Sequence, residues 1–428
     1  MDFLNNKDLK TIDGNLYFGE WSCVDLAEKF GTPIYVINER LIVQRYNDLL
    51  KALKKYYDKV RIHYAVKANT NMAVLSIIKN LGSHLDCVSP GEIYIAKKVG
   101  YSPEKILYTG NNYSDEELDF ALENQVMLNL DALSQIDRLI KILDKKELKN
   151  RRPLLSFRVN PEFGGGHHDH CITAGPNVKF GILEKDIIDA YRKAIKYGFN
   201  KFGIHMHIGS GILNVSTFET AAKKFLEIVK KIKQILNINF KFIDFGGGLG
   251  IPYHPDEESL DLDKYAKTII GLFKEYNEKY SLNDPYFCIE PGRFLVAESG
   301  IIISRVNTIK QMRDQKYVGI NAGFNLLIRP TMYGSYHHVL VANKMDQSKT
   351  DIYNIAGQIC ESGDILAKNR KLPMIEENDT LVILDSGAYG FTMSSNYNSR
   401  PRPAEILISG ENSVKVRSEQ KFEDLIKH

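Results

Sequence analysis

Between about residue 60 and residue 292, short β-rich runs alternate with stretches of helical spacing, and that alternation restricts the chain to α/β folds. The strand-like runs are "HYAVKA", "LDCVS", "ILYTG", "VMLNLD", "LSFRVN", "FGIHMHIG", "FIDFGGG" and "YFCIEPG". Between them lie segments such as "MAVLSIIKNLG", "GEIYIAKKVG", "DEELDFALEN" and "STFETAAKKFLEIVKKIKQIL", in which apolar residues recur at the spacing of one helix face. About eight strand–helix units result, the number that closes a (β/α)8, TIM-like barrel. An open doubly wound sheet is the structural alternative.

Past about residue 296 the helical spacing fades. "GIIISRVNTIK", "KYVGINAG", "HHVLVANK", "DIYNIAGQI", "TLVILDSG", "AEILISG" and "SVKVRS" read as strands separated by turn residues, a mainly β C-terminal domain of sandwich or barrel kind. The first stretch of chain, with "GNLYFG", is expected to add a strand to it. The expected organisation is therefore a barrel over 33–295 and a β domain from 1–32 and 296–428. The 428 residues are enough for two such cores.

Charge excludes other classes. A net charge of +3 gives no broad positive field for nucleic acid or an acidic membrane surface. No stretch is long and apolar enough to span a bilayer, and "MDFLNNKDLK" lacks the basic-then-apolar pattern of a signal peptide. The five cysteines (Cys23, Cys87, Cys171, Cys288, Cys360) are scattered, odd in number and without a CxxC pair. A reducing cytoplasm is the expected location.

In a barrel the C-terminal strand ends share the face on which barrel enzymes work. Read in order, those ends offer Lys67, then Asp86 and Ser89, then His207 and Ser210, then Gly246, Gly247 and Gly248, then Glu290 and Arg293. Each has a plain reading beside a chemical one. Lys67 is either a strand-end lysine with its head in water or a partly buried amine able to form a Schiff base. "FGGGLG" fails the GxGxxG spacing; it is either a tight turn or a phosphate cradle. His205 and His207, two apart, are core histidines ahead of a zinc pair, because no acid at ligand spacing is evident; a third reading lays an imidazole flat on a planar ring. "IEPGR" is a surface ion pair, or an acid and a base aimed at different parts of one anionic aromatic ligand. "GGGHHDHC" (Gly164 to Cys171) reads as a solvated mobile loop in a position to act as a lid, and no metal site is expected from it. In the β domain, "QICESGDILA" brings Cys360 and Glu361 together, with a small buried hydrophobe as the plain reading of Cys360. "LIRPTMYGSYH" offers Arg329 and Tyr333, and "DSGAYGFTM" offers Tyr389.

The ordered set "YAVKAN", "HIGSG", "GGGLGIPY", "EPGR", "LIRPTMY", "CESGDILAK" and "GAYGFTMSSNYNSRPRPAE" resembles the diaminopimelate decarboxylases. These form a branch of the barrel-type (fold type III) pyridoxal-phosphate decarboxylases, beside the ornithine and arginine decarboxylases. The resemblance runs from about residue 20 to 415, and the last two motifs are the most diagnostic. It implies bound pyridoxal 5'-phosphate and a homodimer with active sites shared between subunits. It also implies decarboxylation of meso-2,6-diaminopimelate to L-lysine and CO2, with ornithine, arginine or carboxynorspermidine as the alternative substrates of the wider family. Carried over by position, Lys67 is the Schiff-base lysine, with Asp86 a polar neighbour of the cofactor. His207 stacks on the pyridine ring, and Ser210, Gly247, Gly248 and Arg293 surround the phosphate. Glu290 faces the pyridine nitrogen; a carboxylate there favours a protonated ring, whereas the arginine of the related alanine racemases does not. Arg293, Arg329, Tyr333, Glu361 and Tyr389 would contact substrate, and Tyr389 would also reach the phosphate. Cys360 would be the proton donor and, with Glu361, would come from the partner subunit. The chain departs from the family in reading "SPGE" (Ser89 to Glu92) for the usual "SGGE", "NAG" (Asn321 to Gly323) for "DAG", and in the unusual "GGGHHDHC" loop.

Overall fold

A computed structural model describes residues 8–146 and 152–427. The described chain divides into two compact units, each treated by itself. Tyr46–Ile251 and Ser259–Gly292 form the first; the described residues up to Arg45, Pro252–Glu258 and the described residues from Arg293 form the second.

Eight parallel strands build the first unit: β1 (Val60–Ala65), β2 (His84–Cys87), β3 (Ile106–Tyr108), β4 (Met127–Leu130), β5 (Leu155–Asn160), β6 (Phe202–His205), β7 (Phe240–Asp244) and β8 (Tyr286–Ile289). They pair in sequence, β8 pairs β1 and β4 pairs β5, so the sheet closes on itself. Every strand-like run of the sequence falls on one of them, and closure removes the open-sheet alternative. Several of the helices between begin at caps the sequence spells out. Asn71 accepts from Ala73 N, Ser114 closes a capping box with Glu117, and Asn214 and Asp261 accept from the third residue of their helices.

Alternate residues of each strand point into the barrel. Leu107, Met127, Phe242 and Cys288 form an apolar cluster there, and a Cβ on Gly203 would lie 2.3 Å from the Phe242 ring. One inward position further along these strands, the lining turns polar: Asn129 on β4, His205 on β6 and Asp244 on β7, joined by Glu290 just past β8. That switch from an apolar to a polar layer positions the site.

The second unit is mainly β, and four of its strands lie outside the sequence reading: the short Leu9–Ile12 and Trp21–Ser22, and two longer ones. Ile34–Asn38, a wholly buried run inside the expected barrel span, pairs antiparallel with Gly300–Met312 and parallel with Glu405–Ser409. The expected barrel boundary at residue 33 therefore moves past Arg45. Ile365–Leu372 pairs with Asp351–Ala356. The long strand Gly300–Met312 packs both faces: Ile302 joins one apolar cluster, Ile301 and Ile303 the other. "GNLYFG" does form a strand, Asn15–Phe18, but in a separate three-stranded sheet.

Both local departures fit their surroundings. Pro90 takes the first turn of helix Pro90–Val99, where no backbone donor is required, while Ser89 Oγ accepts from Glu92 N at 3.2 Å. Asn321 accepts from Arg305 N and donates to Thr32 Oγ1, both at 2.9 Å, the second a bond an ionised aspartate has no proton for.

Candidate active site

Lys67 does not end a strand. β1 stops at Ala65, and Lys67 sits in the single 3-10 turn Val66–Ala68 that follows. Because Ala65 registers against Asp86 on β2, the lysine Nζ comes within 2.6 Å of Asp86 Oδ2. The Lys67 side chain is 35% exposed and Asp86 fully buried, so the ammonium lies on a desolvated carboxylate as well as near water. Asp86 also accepts from the Thr109 hydroxyl. Burial, and then the charge of Glu290, push its carboxyl up; Lys67 and Thr109 pull it back.

The glycine run after β7 is a turn made by close approach. Asp244 Oδ1 accepts from Gly246 N at 2.9 Å, and Gly246 O accepts from Glu290 N at 2.8 Å. A Cβ on Gly247 would stand 2.1 Å from Glu290 O, and Gly248 has φ +106°. Gly247 N–H is donated to His207 Nδ1 at 3.1 Å, which leaves the imidazole proton on Nε2. Burial first, then the positive charges of Arg158 and Lys67, hold His207 well below the ordinary histidine range.

His205 and His207 separate. His207 is partly exposed; His205 is 1% exposed and carries Glu290 Oε2 at 2.9 Å from Nε2 and Asn129 Nδ2 at 3.2 Å from Nδ1. No acid stands at ligand spacing in the sequence around this pair; Glu290, 85 residues on, reaches His205 through the fold. Among the described residues His205, Asp244 and Glu290, and likewise His63, Asp244 and Cys288, bring ligand-type atoms within 4.8 Å of one another. Hydrogen bonding already engages much of this set, Glu290 with His205 and Asp244 with Gly246, while His63 Nδ1 stands 3.1 Å from Asp244 Oδ2. Burial and the neighbouring Asp244 charge raise the Glu290 carboxyl.

The "GGGHHDHC" segment is not a free loop. Gly165 N and Thr173 N donate to Ile208 O, at 3.2 and 3.3 Å, and His167 donates from its backbone N and from Nδ1 to Ser210 O at 3.1 and 2.9 Å. A Cβ on Gly164 would meet Ala174 O at 2.1 Å. The glycines therefore let the segment lie directly on the 206–211 backbone that carries His207 and Ser210.

In the second unit Arg293 is buried; Nη1 donates to Tyr253 Oη at 2.8 Å, and the guanidinium lies 4.9 Å from the Tyr389 ring. Arg329, 1% exposed, covers the same Tyr253 ring at 4.4 Å and bonds His337 Nε2 at 2.7 Å. His337 Nδ1 faces Leu384 O at 2.8 Å, so Nδ1 holds the proton and Nε2 accepts from the arginine. Tyr389 is held at φ +58°, in the left-handed region, where a bulky side chain is strained. Tyr333 ends the short helix Arg329–Tyr333, partly buried. Cys360 is exposed, which removes its reading as a buried hydrophobe. It shares with Glu361 a loop pinned by Asp364, whose carboxylate accepts from Phe324 N and Ile359 N at 2.6 and 2.7 Å. Tyr397 Oη donates to Glu361. Sequence reading missed Thr109, Asn129, Tyr253 and His337. Tyr253 and His337 had a signal, as the last letters of "GGGLGIPY" and "LIRPTMYGSYH".

Residues 40–297 match the family model for the pyridoxal-binding domain of pyridoxal-dependent decarboxylases. The chain belongs to that family and, within it, to the diaminopimelate decarboxylase branch. It is 47% identical to the diaminopimelate decarboxylase of Methanothermobacter thermautotrophicus, over 97% of this chain and 95% of that enzyme. The Archaeoglobus fulgidus enzyme is 39% identical over 97% of each. A crystal structure of diaminopimelate decarboxylase from M. jannaschii with L-lysine superposes with a TM-score of 0.92 at 34% identity, covering 99% of this chain and 98% of that one.

The barrel residues fit the family's cofactor. Glu290 Oε1 is buried and has no hydrogen-bond partner among the described residues, an acid oxygen left open for a ring nitrogen. The bare backbone at Gly247 and Gly248, where a Cβ on Gly247 would strike Glu290 O, is a glycine turn of the kind a phosphate cradle uses.

Proposed function

We propose that this chain decarboxylates meso-2,6-diaminopimelate to L-lysine and CO2, the last step of lysine biosynthesis, as a cytoplasmic homodimer with shared active sites. The observation that carries the reading is the buried Glu290 with one open oxygen, inside a barrel whose strand ends present an amine, Lys67, on a carboxylate. Among the described residues no helix is long and apolar enough to cross a membrane.

Pyridoxal phosphate, when bound, supplies a conjugated ring that accepts the electron pair left on the α-carbon as CO2 departs. Lys67 Nζ is the amine that would hold it covalently, and Asp86 Oδ2 is placed to take and return the proton of that amine. Asp86 stays directed because Thr109 occupies its other oxygen. His207, kept neutral, offers a flat ring face, and its Nδ1 is locked by Gly247. Ser210, Gly247, Gly248, Arg293 and Tyr389 would hold the phosphate. Glu290 would hold or give up a proton at its open oxygen, which is how this chain would favour charge withdrawal into the ring.

At the substrate's distal end a second amino-acid head needs a cation and an anion. Arg329 and Arg293 are fork-shaped donors with a carboxylate as their natural partner, and Glu361 would take the distal ammonium. Tyr333 would line the same region. Cys360, solvent-exposed on its pinned loop, would be offered with Glu361 to the partner subunit and return a proton to the α-carbon.

Purified protein with added pyridoxal phosphate is to be offered meso-diaminopimelate, ornithine, arginine and carboxynorspermidine, with CO2 followed for each. Release from meso-diaminopimelate alone, with lysine formed, is expected; release from another substrate instead overturns the reading. Borohydride trapping should place the label on Lys67, and Lys67→Ala should show no visible cofactor band. Mixing inactive Lys67→Ala and Cys360→Ala proteins should restore activity through hybrid dimers. No restoration would reject shared sites.

A further inference from the structure

His205 is not needed to stack on a ring or to hold an amine, yet it is buried with both ring nitrogens engaged. It reaches from β6 across the interior to Asn129 on β4 and to Glu290 after β8, neither on a neighbouring strand. Burial drops its basicity to about 3, with Arg158 and Lys67 adding to the drop and Asp244 and Asp86 opposing it. A neutral imidazole has a single N–H. With the Asn129 amide donating to Nδ1, the proton is on Nε2, and it is donated to Glu290 Oε2 at 2.9 Å.

That assignment fixes which oxygen of Glu290 can carry a proton. Lys67, His63 and Arg158 pull the carboxyl toward ionisation, but burial and Asp244 outweigh them and raise its affinity for a proton. Oε2 is an acceptor from His205, so the proton belongs on Oε1, the buried oxygen without a partner among the described residues.

We propose that His205 is a positioning residue that reserves Glu290 Oε2 as an acceptor and thereby places the exchangeable proton on Oε1, facing the ring nitrogen of the cofactor. When that proton moves, the Oε1–H bond breaks and an N–H bond forms on the ring. Glu290 would then be a carboxylate, its Oε2 still accepting from His205, and would favour the protonated ring. The proposal rests on the cofactor reading above, but its first test does not.

In 15N-histidine-labelled protein freed of cofactor, His205, identified by its loss in His205→Gln, should show the Nε2–H tautomer. The Nδ1–H tautomer overturns the proposal. His205→Phe keeps a ring without donors; His205→Gln keeps a donor near the Nε2 position. The Phe variant should lose about tenfold to a hundredfold in kcat with KM nearly unchanged, and weaken pyridoxal phosphate binding about tenfold, as for a lost bond to a charged group. The Gln variant should recover most of both. A Phe variant equal to wild type, or a Gln variant as impaired as Phe, overturns the proposal. If the Phe variant does not fold, the tautomer decides alone. Wild-type protein that releases no CO2 from meso-diaminopimelate refutes the substrate reading, while the tautomer and the cofactor titration still judge His205.

Discussion

Gly247→Ala tests whether the glycine turn is built by close approach. The added Cβ would lie 2.1 Å from Glu290 O, where ordinary contacts begin at 3.4 Å, so backbone on one side must retreat by more than an ångström. Two bonds run through the same turn, Gly247 N to His207 Nδ1 at 3.1 Å and Glu290 N to Gly246 O at 2.8 Å. Overpacking of a closed site costs about 1–3 kcal/mol, and the two hydrogen bonds, weakened rather than lost, together add about 1 kcal/mol. A total of about 2–4 kcal/mol falls on the residues that would meet the phosphate and the ring. If half of it is expressed as lost cofactor affinity, Kd for pyridoxal phosphate rises about fivefold to thirtyfold, at about 1.4 kcal/mol per tenfold; the remainder lowers the unfolding midpoint. Gly271, inside helix Leu262–Tyr280 with nothing within 4 Å of its would-be Cβ, is the control: Gly271→Ala should stabilise by about 0.5–1 kcal/mol. Cofactor titration by visible absorbance and thermal unfolding read both variants. A Gly247→Ala protein with wild-type affinity and midpoint would show that the turn has room, and the cradle reading would fail.

Glu92, buried at the start of helix Pro90–Val99, is pushed up to about 7 by desolvation, against the bond it accepts from Val88 N. Its folded value exceeds its unfolded one, so its ionisation costs stability as pH rises from about 4.5 to 7, with no further change above that window. Relative to wild type, Glu92→Gln should gain about 2–3 kcal/mol between about pH 5 and pH 8 in urea unfolding; a constant difference would contradict the burial. Cys360→Ser, at an exposed position, should leave the unfolding midpoint nearly unchanged while turnover falls at least tenfold, as for loss of a general acid; a parallel fall in both would point to a structural thiol. Glu361→Ala should raise KM for meso-diaminopimelate far more than Kd for pyridoxal phosphate, and equal effects would count against a distal ammonium contact.

The strands of the barrel were legible because they alternate with stretches of helical spacing, several of which begin at a side-chain cap. Ile34–Asn38 escaped because a short continuous apolar run has no period of its own; only its pairing with Gly300–Met312 and Glu405–Ser409 reveals its unit. Ile365–Leu372 escaped because Lys368, Asn369 and Lys371 fill its exposed positions, two of them adjacent, so little alternation survives. The site divides in the same way. Lys67, Gly247 and Glu290 belong to short motifs that can be read in line. Asn129, His205 and Glu290 belong together only after the barrel closes, since 76 residues separate the first pair and 85 the second.

The barrel also breaks a rule in an informative place. Closed parallel barrels are ordinarily filled with branched aliphatic layers, and this one keeps an apolar cluster at Leu107, Met127, Phe242 and Cys288. The polar layer beyond it, with Asn129 Oδ1 and Glu290 Oε1 buried and without hydrogen-bond partners among the described residues, is a poor solution for stability alone. Replacing such groups with hydrophobic residues would relieve the desolvation they suffer, yet the layer carries an acid, an imidazole and an amide linked across non-neighbouring strands. Orphaned atoms in a hydrogen-bonded layer are intelligible if a further group completes it. Glu290 Oε1 is where that completion has chemical consequences, because the proton it carries decides how far charge can leave the α-carbon.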